Sequence, residues 1–253
     1  MTVRCVWEHN GGDSILYAEN FIGAFTRGPS PEEAILKMPD EIRRFQLWKG
    51  EAPVDGPEIV IVQEKASELQ IKDADSDVLF ESEKAPLSAE EYRYLKSAAM
   101  KSAEDFQTLY AAFPDKNRSN NPKRRTFYGD VPRTAEEMYR HTKNVNAYYF
   151  SEIGVDADNE GTIVSCRAKG FAALEAIPGF LSMGVVTGSY DEQWSVRKVL
   201  RRFIWHDRIH AKAMYRMGIS TFGANAVPDV FGFARLNPVE TTASLSQERK
   251  EKT

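Results

Sequence analysis

The chain has 253 residues, of which 42% are hydrophobic and 28% charged, with a formal net charge of −4. This composition is that of a globular protein and excludes a fibrous or disordered chain, and no apolar run reaches the ~18 residues of a membrane span. The N-terminus lacks the charged start and long apolar stretch of a secretory signal, and two cysteines exclude a disulfide framework. We therefore expect a cytoplasmic protein of one large domain or two small ones.

Charge is distributed unevenly along the chain. Residues 1–84 carry 9 basic and 17 acidic side chains, whereas residues 85–253 carry 24 and 20. This asymmetry favours two modules with different surfaces. Neither part is basic enough to indicate a nucleic-acid-binding domain, so we expect neither nucleic acid nor a membrane as a partner.

The first part of the chain predicts a small α+β domain over residues 1–70. Ser30 and Glu33 form a capping box with proline at the first helical position, and the helix that they open should run to about Trp48. Short β-type runs surround this helix, separated by turn residues. The predicted order is β-β-β-α-β, with strands at 3–7, 14–20, 21–27 and 57–62.

From residue 88 onward the pattern changes to long helices. Ser88 and Thr134 each open a helix with a capping box. Four helices in this length predict an all-α, up-and-down four-helix bundle over residues 88–225. The predicted helices cover residues 88–113, 134–153, 162–176 and 195–217.

Two segments outside these modules are predicted to lack regular structure. Residues 71–87 are acidic and weakly periodic, which is typical of a linker, although residues 77–80 could dock on a domain. Residues 226–253 form a polar C-terminal tail.

The fourth predicted helix carries two of the four histidines, His206 and His210. A spacing of four residues places them about 40° apart on one face, as in helices that present two imidazoles to one metal ion. Four cations lie on the opposite side: Arg197, Arg201, Arg208 and Lys212. We expect the histidines to face the core and the cations to face water. Buried imidazoles need partners, which are either a metal ion or hydrogen bonds to tyrosines or acids.

A third histidine, His141, lies two turns into the helix that begins at Thr134, on a stripe with Met138 and Val145. Two helices can then aim three imidazoles at a common point. Three neutral nitrogen ligands leave one open position, which is typical of a catalytic metal site. Imidazole suits zinc, nickel, copper and iron, and among divalent metals we favour zinc or nickel.

Two further features lie close to His141 in sequence. Glu137 completes the capping box of its helix, and it is also a candidate catalytic residue that accepts a hydrogen bond from a ligand or carries a proton. The preceding loop, residues 114–133, is basic. Its cations are either simply solvated, or they attract an anionic substrate to the metal site.

Three segments resemble the DinB-like (DNA-damage-inducible) superfamily, namely residues 134–145, 194–200 and 206–210, within a similarity that covers about residues 85–222. The resemblance implies a four-helix bundle with a divalent-metal site. Its ligands would be one histidine of the second helix and an HxxxH pair of the fourth, which match His141, His206 and His210. Members of the family include thiol-dependent transferases and isomerases and are often dimers, so the resemblance implies a thiol as substrate and a homodimer.

The N-terminal module resembles the HicB-like antitoxin fold over about residues 1–65. The similarity lies in a glycine-containing strand, with Gly23 followed by Gly28, and in the helix start at Ser30, Glu33 and Ala34. It implies a small domain that binds partners or ligands. No companion DNA-binding domain is recognisable in the sequence.

Together these features predict a metal-dependent enzyme, a thiol transferase or a hydrolase, that activates a water or a thiol against a small-molecule substrate. The alternative is a binding or regulatory protein. In that case the metal is structural or absent, and the N-terminal domain recognises a partner.

Overall fold

The N-terminal part of the chain is a mixed four-stranded sheet with one helix packed on it. The computed structural model of the protein describes residues 1–126 and 129–234. The strands are Thr2–His9 (β1), Ser14–Ala18 (β2), Phe25–Gly28 (β3) and Glu58–Ala66 (β4). Their spatial order is β3-β2-β1-β4, and only the β1–β4 pair is parallel. With the helix between β3 and β4, the predicted β-β-β-α-β order is confirmed.

Helix α1, Pro31–Lys49, begins and ends where its local chemistry predicts. The Ser30 hydroxyl accepts a hydrogen bond from the Glu33 amide at 3.4 Å, and Gly50 ends the helix in the left-handed conformation (φ 76°). The predicted capping box is only half formed, because the Glu33 carboxylate pairs with Lys37 at 3.3 Å instead of reaching back to Ser30.

The second part of the chain is mostly helical. Its helices are Ala89–Ala111 (α2), Ala135–Ser151 (α3), Ile163–Glu175 (α4) and Val196–Phe222 (α5). The capping boxes at Ser88 and Thr134 are both complete, as predicted. Helix α5 is longer than predicted because Gly218 does not end it. Gly218 instead permits a close approach, since a Cβ there would lie 2.8 Å from both Phe113 and Val227.

These four helices pack on one another and share a core with the sheet. Helix α2 contacts α4 and α5, and helix α3 contacts the same two helices. One continuous hydrophobic cluster contains residues of the sheet, of α1 and of all four helices. No helix among the described residues is both long and apolar enough to cross a membrane.

Short elements connect the helices. Two-residue strands form two hairpins, which pair Arg125–Thr126 (β5) with Gly129–Asp130 (β6) and Val186–Thr187 (β7) with Gln193–Trp194 (β8). Single 3-10 turns occur at Ile71–Asp73, Glu81–Lys84, Phe180–Ser182 and Ser189–Asp191.

The segment that composition predicts to be a linker, residues 71–87, is packed rather than loose. Ile71, Val78 and Phe80 are buried in a second hydrophobic cluster that also contains Trp205 of α5 and Tyr17 of the sheet. Residues 77–80 therefore dock on the fold, which the sequence analysis left open, and the segment fills the space between the sheet and α5.

Part of the predicted polar tail is also packed. Val227 and Phe231 are buried, and the Phe231 ring stacks on Trp48 with 5.4 Å between ring centroids. Residues 235–253, the rest of that predicted tail, lie outside the described residues.

The prediction that the cations of α5 face water is wrong for two of the four. Arg201 and Arg208 are buried, because residues 71–87 and the sheet cover Arg201 and helix α1 covers Arg208, on the side of α5 that an amphipathic helix would expose. Arg201 pairs with Glu83, and Arg208 pairs with Glu41 at 2.7 Å. Arg197 and Lys212 are only partly exposed, so that the helix has no fully solvated cationic face over this length.

Gly23 brings the N-terminal module into contact with α5. It has a φ of +106°, and a Cβ at this position would lie 2.3 Å from the Ile204 side chain, so only glycine fits. Its carbonyl oxygen accepts a hydrogen bond from Arg208 Nε at 3.1 Å. The glycine of the HicB-like resemblance therefore has a packing role at the junction between the two parts of the chain.

The buried pair of Arg208 and Glu41 predicts a large difference between two identical substitutions in α1. Glu41→Gln leaves the Arg208 guanidinium buried without a counter-charge and should lower the free energy of unfolding by about 3 kcal/mol. Glu33→Gln breaks only an exposed pair with Lys37 and should cost less than about 1 kcal/mol. Urea unfolding of both variants measures the difference. Equal and small effects would show that the buried pair does not hold α1 on α5.

Candidate metal centre

Three histidines from two helices meet at one point. His141 on α3 and His206 and His210 on α5 each offer a ring nitrogen, and these atoms all lie within 4.8 Å of one another. The ring centroids are 4.4–5.2 Å apart. The convergence that the sequence predicts for these three residues is therefore present, and the three together could hold a metal ion.

The two histidines of α5 are presented by consecutive helical turns. Their Nε2 atoms lie 3.1 Å apart, and both side chains point to the same side of the helix. His206 is buried at 7% exposure, whereas His210 is half-buried. The predicted i, i+4 geometry thus aims both nitrogens at a shared position.

His141 gives the cluster an open side. It is exposed, although its neighbour on the predicted core stripe, Met138, is buried at 3% exposure. The helical pattern therefore placed His141 deeper than it is. One edge of the cluster faces a cleft, and the other edge, at His206, faces the core.

The environment keeps all three imidazoles neutral at pH 7. Burial lowers the pKa of His206 well below its ordinary value, and the neighbouring His210 and His141 lower it further. Burial, followed by the effect of His141, lowers the pKa of His210 to about 3, and burial lowers that of His141. Neutral imidazole is the form that binds a metal ion.

These residues fit a divalent metal ion by two observations. Two nitrogens bound to one tetrahedral ion at about 2.0–2.1 Å lie roughly 3.4 Å apart, close to the 3.1 Å between the Nε2 atoms of His206 and His210. A hydrogen bond between two neutral imidazoles uses only one of their two Nε2 lone pairs, and the buried Nδ1–H of His206 has no partner among the described residues with or without an ion. An ion between the rings would use the lone pairs of both Nε2 atoms.

A buried ion pair includes Asp207 of α5, which directly follows His206 in sequence and lies on a neighbouring face of the helix. Asp207 accepts two hydrogen bonds from the Arg167 guanidinium, each at 3.1 Å, and one from Ser102 at 2.6 Å. Asp207 and Arg167 are both fully buried. This network joins α2, α4 and α5, and it holds α5 in the rotation that points His206 and His210 at His141.

Sequence reasoning missed this network. The only sequence signal for a buried ion pair was Asp207 itself, because this acid directly follows His206, which is predicted to face the core. A buried carboxylate requires a partner, but nothing in the sequence identified Arg167, forty residues earlier, as that partner.

Glu137 has the capping role that its position predicts. One of its carboxylate oxygens, Oε2, accepts hydrogen bonds from the amides of Arg133 at 2.9 Å and Thr134 at 3.1 Å. These backbone hydrogen bonds, that of Arg133 above all, lower its pKa. Glu137 also lines the cleft that His141 faces. Its action as an acceptor behind a ligand or as a proton carrier stays a prediction.

The cleft beside His141 has a volume of about 490 Å³ and is rich in cations. Four basic residues line it: Lys123, Arg124, Arg133 and Arg140. Two carboxylates, Asp130 and Glu137, line it as well, and Arg124 is engaged with Asp73, so the cleft keeps a small excess of positive charge. The basic loop therefore reaches the histidine cluster, which is the arrangement expected of a loop that attracts an anionic substrate.

The lowered histidine pKa values predict that the metal-free protein loses stability in mild acid. The unfolded chain, with histidine pKa values near 6.5, takes up protons before the folded chain does. The free energy of unfolding should therefore fall as the pH drops below about 6.5, by up to about 1.4 kcal/mol per pH unit for each histidine. Urea unfolding between pH 5 and 7 in the presence of a chelator measures this slope. His210→Gln should reduce it, and an unchanged slope in that variant would contradict the assignment.

Comparisons of the chain with protein-family models, with curated proteins and with solved structures find no match.

Proposed function

We propose that residues 88–225 form a DinB-like, up-and-down four-helix bundle and that residues 1–70 form a HicB-like module attached to it. The helix order supports this proposal, because α3 is the second and α5 the fourth of the four helices, and the histidines lie where that family carries its ligands. The β-β-β-α-β order supports the second part of the proposal.

We further propose that the protein is a metal-dependent enzyme with His141, His206 and His210 as ligands of a divalent ion, zinc or nickel. The observation that carries this proposal is the combination of two nitrogens 3.1 Å apart, on the buried His206 and the half-buried His210, with an exposed third histidine at the wall of a cleft. A bound divalent ion would lower the pKa of a water or a thiol at its remaining position.

The other residues of the cleft have roles that follow from their charge. Lys123, Arg133 and Arg140 attract an anionic substrate and orient its charged group. The Glu137 carboxylate is held ionised by two backbone amides through Oε2. Its second oxygen, Oε1, is then available to accept a hydrogen bond from a substrate hydroxyl or thiol. The lowered pKa makes Glu137 a weak base, which favours this role over that of a proton carrier.

The alternative of a structural metal requires a closed site. A structural zinc ion is normally bound by four protein ligands. Among the residues that the structure describes, the group around His206 contains three histidines and no further histidine, cysteine or carboxylate. This observation favours the enzyme over the binding protein.

The proposed metal site predicts the metal content of protein purified without a histidine tag. Elemental analysis should find close to one zinc or nickel ion per chain in the wild type, and none in His206→Ala/His210→Ala, because two of three ligands are removed. His9→Ala, which alters a histidine of the sheet outside the cluster, should retain the metal. A wild-type protein that remains free of metal after incubation with either ion would contradict the proposal.

The basic cleft predicts a preference for anionic thiols in the zinc-loaded protein. Calorimetry should show that 3-mercaptopropanesulfonate binds more tightly than 2-mercaptoethanol, because only the former has a negative charge. Arg140→Met should weaken sulfonate binding by about fivefold and leave the neutral thiol unaffected. Arg43→Met removes an exposed cation of α1 and serves as the control. If neither thiol bound, the thiol-transferase form of the proposal would be wrong and hydrolytic substrates would remain.

A further inference from the structure

A second cleft, of about 640 Å³, lies between α1, β3 and α5. None of the three histidines lines it, and it involves a different face of α5 from the one that carries them. Its walls come from both parts of the chain, with Phe25 from the sheet, Leu36 from α1, and Ile209 and Lys212 from α5. The cleft is therefore a feature of the junction between the two parts.

Cations outnumber carboxylates in this second cleft. Its two acids are Asp40 and Glu41, and Glu41 is committed to the buried Arg208 at 2.7 Å. Five basic residues line the same cleft: Arg27, Lys37, Arg44, Lys212 and Arg216. The cleft thus carries an excess of positive charge.

Two of these cations, Lys212 and Arg216, have no hydrogen bond or ion pair with the residues described in the structure, whereas Arg27 binds Asp13 at 2.7 Å. Lys212 is only partly exposed, and the carboxylate that attracts it, Glu41, is already committed to another cation. Its ammonium group is therefore partly removed from water with only a shared counter-charge. A neighbouring anion would offset that cost.

Apolar groups surround the unpaired ammonium. The ring centroids of Phe25 and Phe233 each lie 5.9 Å from Lys212 Nζ. Phe233 is held in place by a hydrogen bond from its amide to Asp229 at 2.7 Å. Leu36, at the edge of the cleft, is 81% exposed and gives a ligand further apolar surface.

We propose that this cleft binds a small organic anion with a flat apolar body. The carboxylate, sulfonate or phosphate of the ligand meets Lys212 and Arg216, and its apolar body lies against Phe25, Phe233 and Leu36. Charge-assisted hydrogen bonds orient the ligand, and burial of apolar area adds affinity. The site is distinct from the histidine cluster, so the proposal holds whether or not the protein binds a metal.

The test compares two probes that share the same ring system. 8-Anilinonaphthalene-1-sulfonate carries one negative charge, and N-phenyl-1-naphthylamine carries none. Fluorescence titration of the full chain under native conditions should show saturable binding of one sulfonate probe per chain. The neutral probe should bind about tenfold more weakly or worse, and sodium chloride should weaken binding of the sulfonate only.

Three variants locate the site. Lys212→Met/Arg216→Met removes both unpaired charges and should weaken the sulfonate probe by about tenfold or more, with the neutral probe unchanged. Leu36→Ser alters an exposed residue and should weaken both probes. Arg43→Met, which removes an exposed cation of α1 outside both clefts, is the control and should change neither. Lys123→Met tests whether the sulfonate probe binds in the cleft beside His141 instead. Urea unfolding of each variant establishes that it is folded, and Arg216→Met alone replaces the double variant if that variant is not.

Three results would overturn the proposal: no saturable binding of the sulfonate by the wild type, equal affinities of the two probes, or an unchanged affinity for the sulfonate when Lys212 and Arg216, or Arg216 alone, are replaced. A loss of sulfonate binding in Lys123→Met would place the site at the histidine cluster and would overturn the proposal as well.

Discussion

Between residues 198 and 208 helix α5 is buried on every side, and its charged residues can exist there only with partners. Every residue from 198 to 208 is buried, including one lysine, three arginines and one aspartate. Burial of an unpaired charge costs several kcal/mol, so each of these groups constrains what packs opposite it. Glu83, Glu41 and Arg167 meet this requirement from three different parts of the chain. Together they fix both the rotation of α5 and the position of the N-terminal module against it.

The candidate metal site depends on that fixed rotation. His206 and His210 point towards α3 because the other faces of α5 are held by Arg167 and by the acids of the N-terminal module. The cluster lies at the edge of the core, with His206 buried and His141 exposed. This position combines partly desolvated, neutral imidazoles with access from a basic cleft. Such a combination is more typical of a catalytic metal site than of a structural one.

Local signals in the sequence predicted the elements and the three histidines, but they did not predict the environment of α5. Caps at Ser30, Ser88 and Thr134 and the spacing of His206 and His210 act over a few residues, so they can be read directly. The helical wheel assumes that a helix has one buried face. That assumption failed because residues 71–87 and the sheet cover Arg201, and helix α1 covers Arg208. Partners far apart in sequence, such as Arg167 and Asp207, follow only from the tertiary packing.

X-ray absorption spectroscopy of the zinc-loaded protein can show whether the three histidines form an open metal centre. We expect three imidazole nitrogens and a fourth, non-protein oxygen at about 2.0 Å from zinc, with one imidazole fewer in His141→Ala. Full ligation by protein groups, or the same number of imidazoles with and without His141, would contradict this expectation.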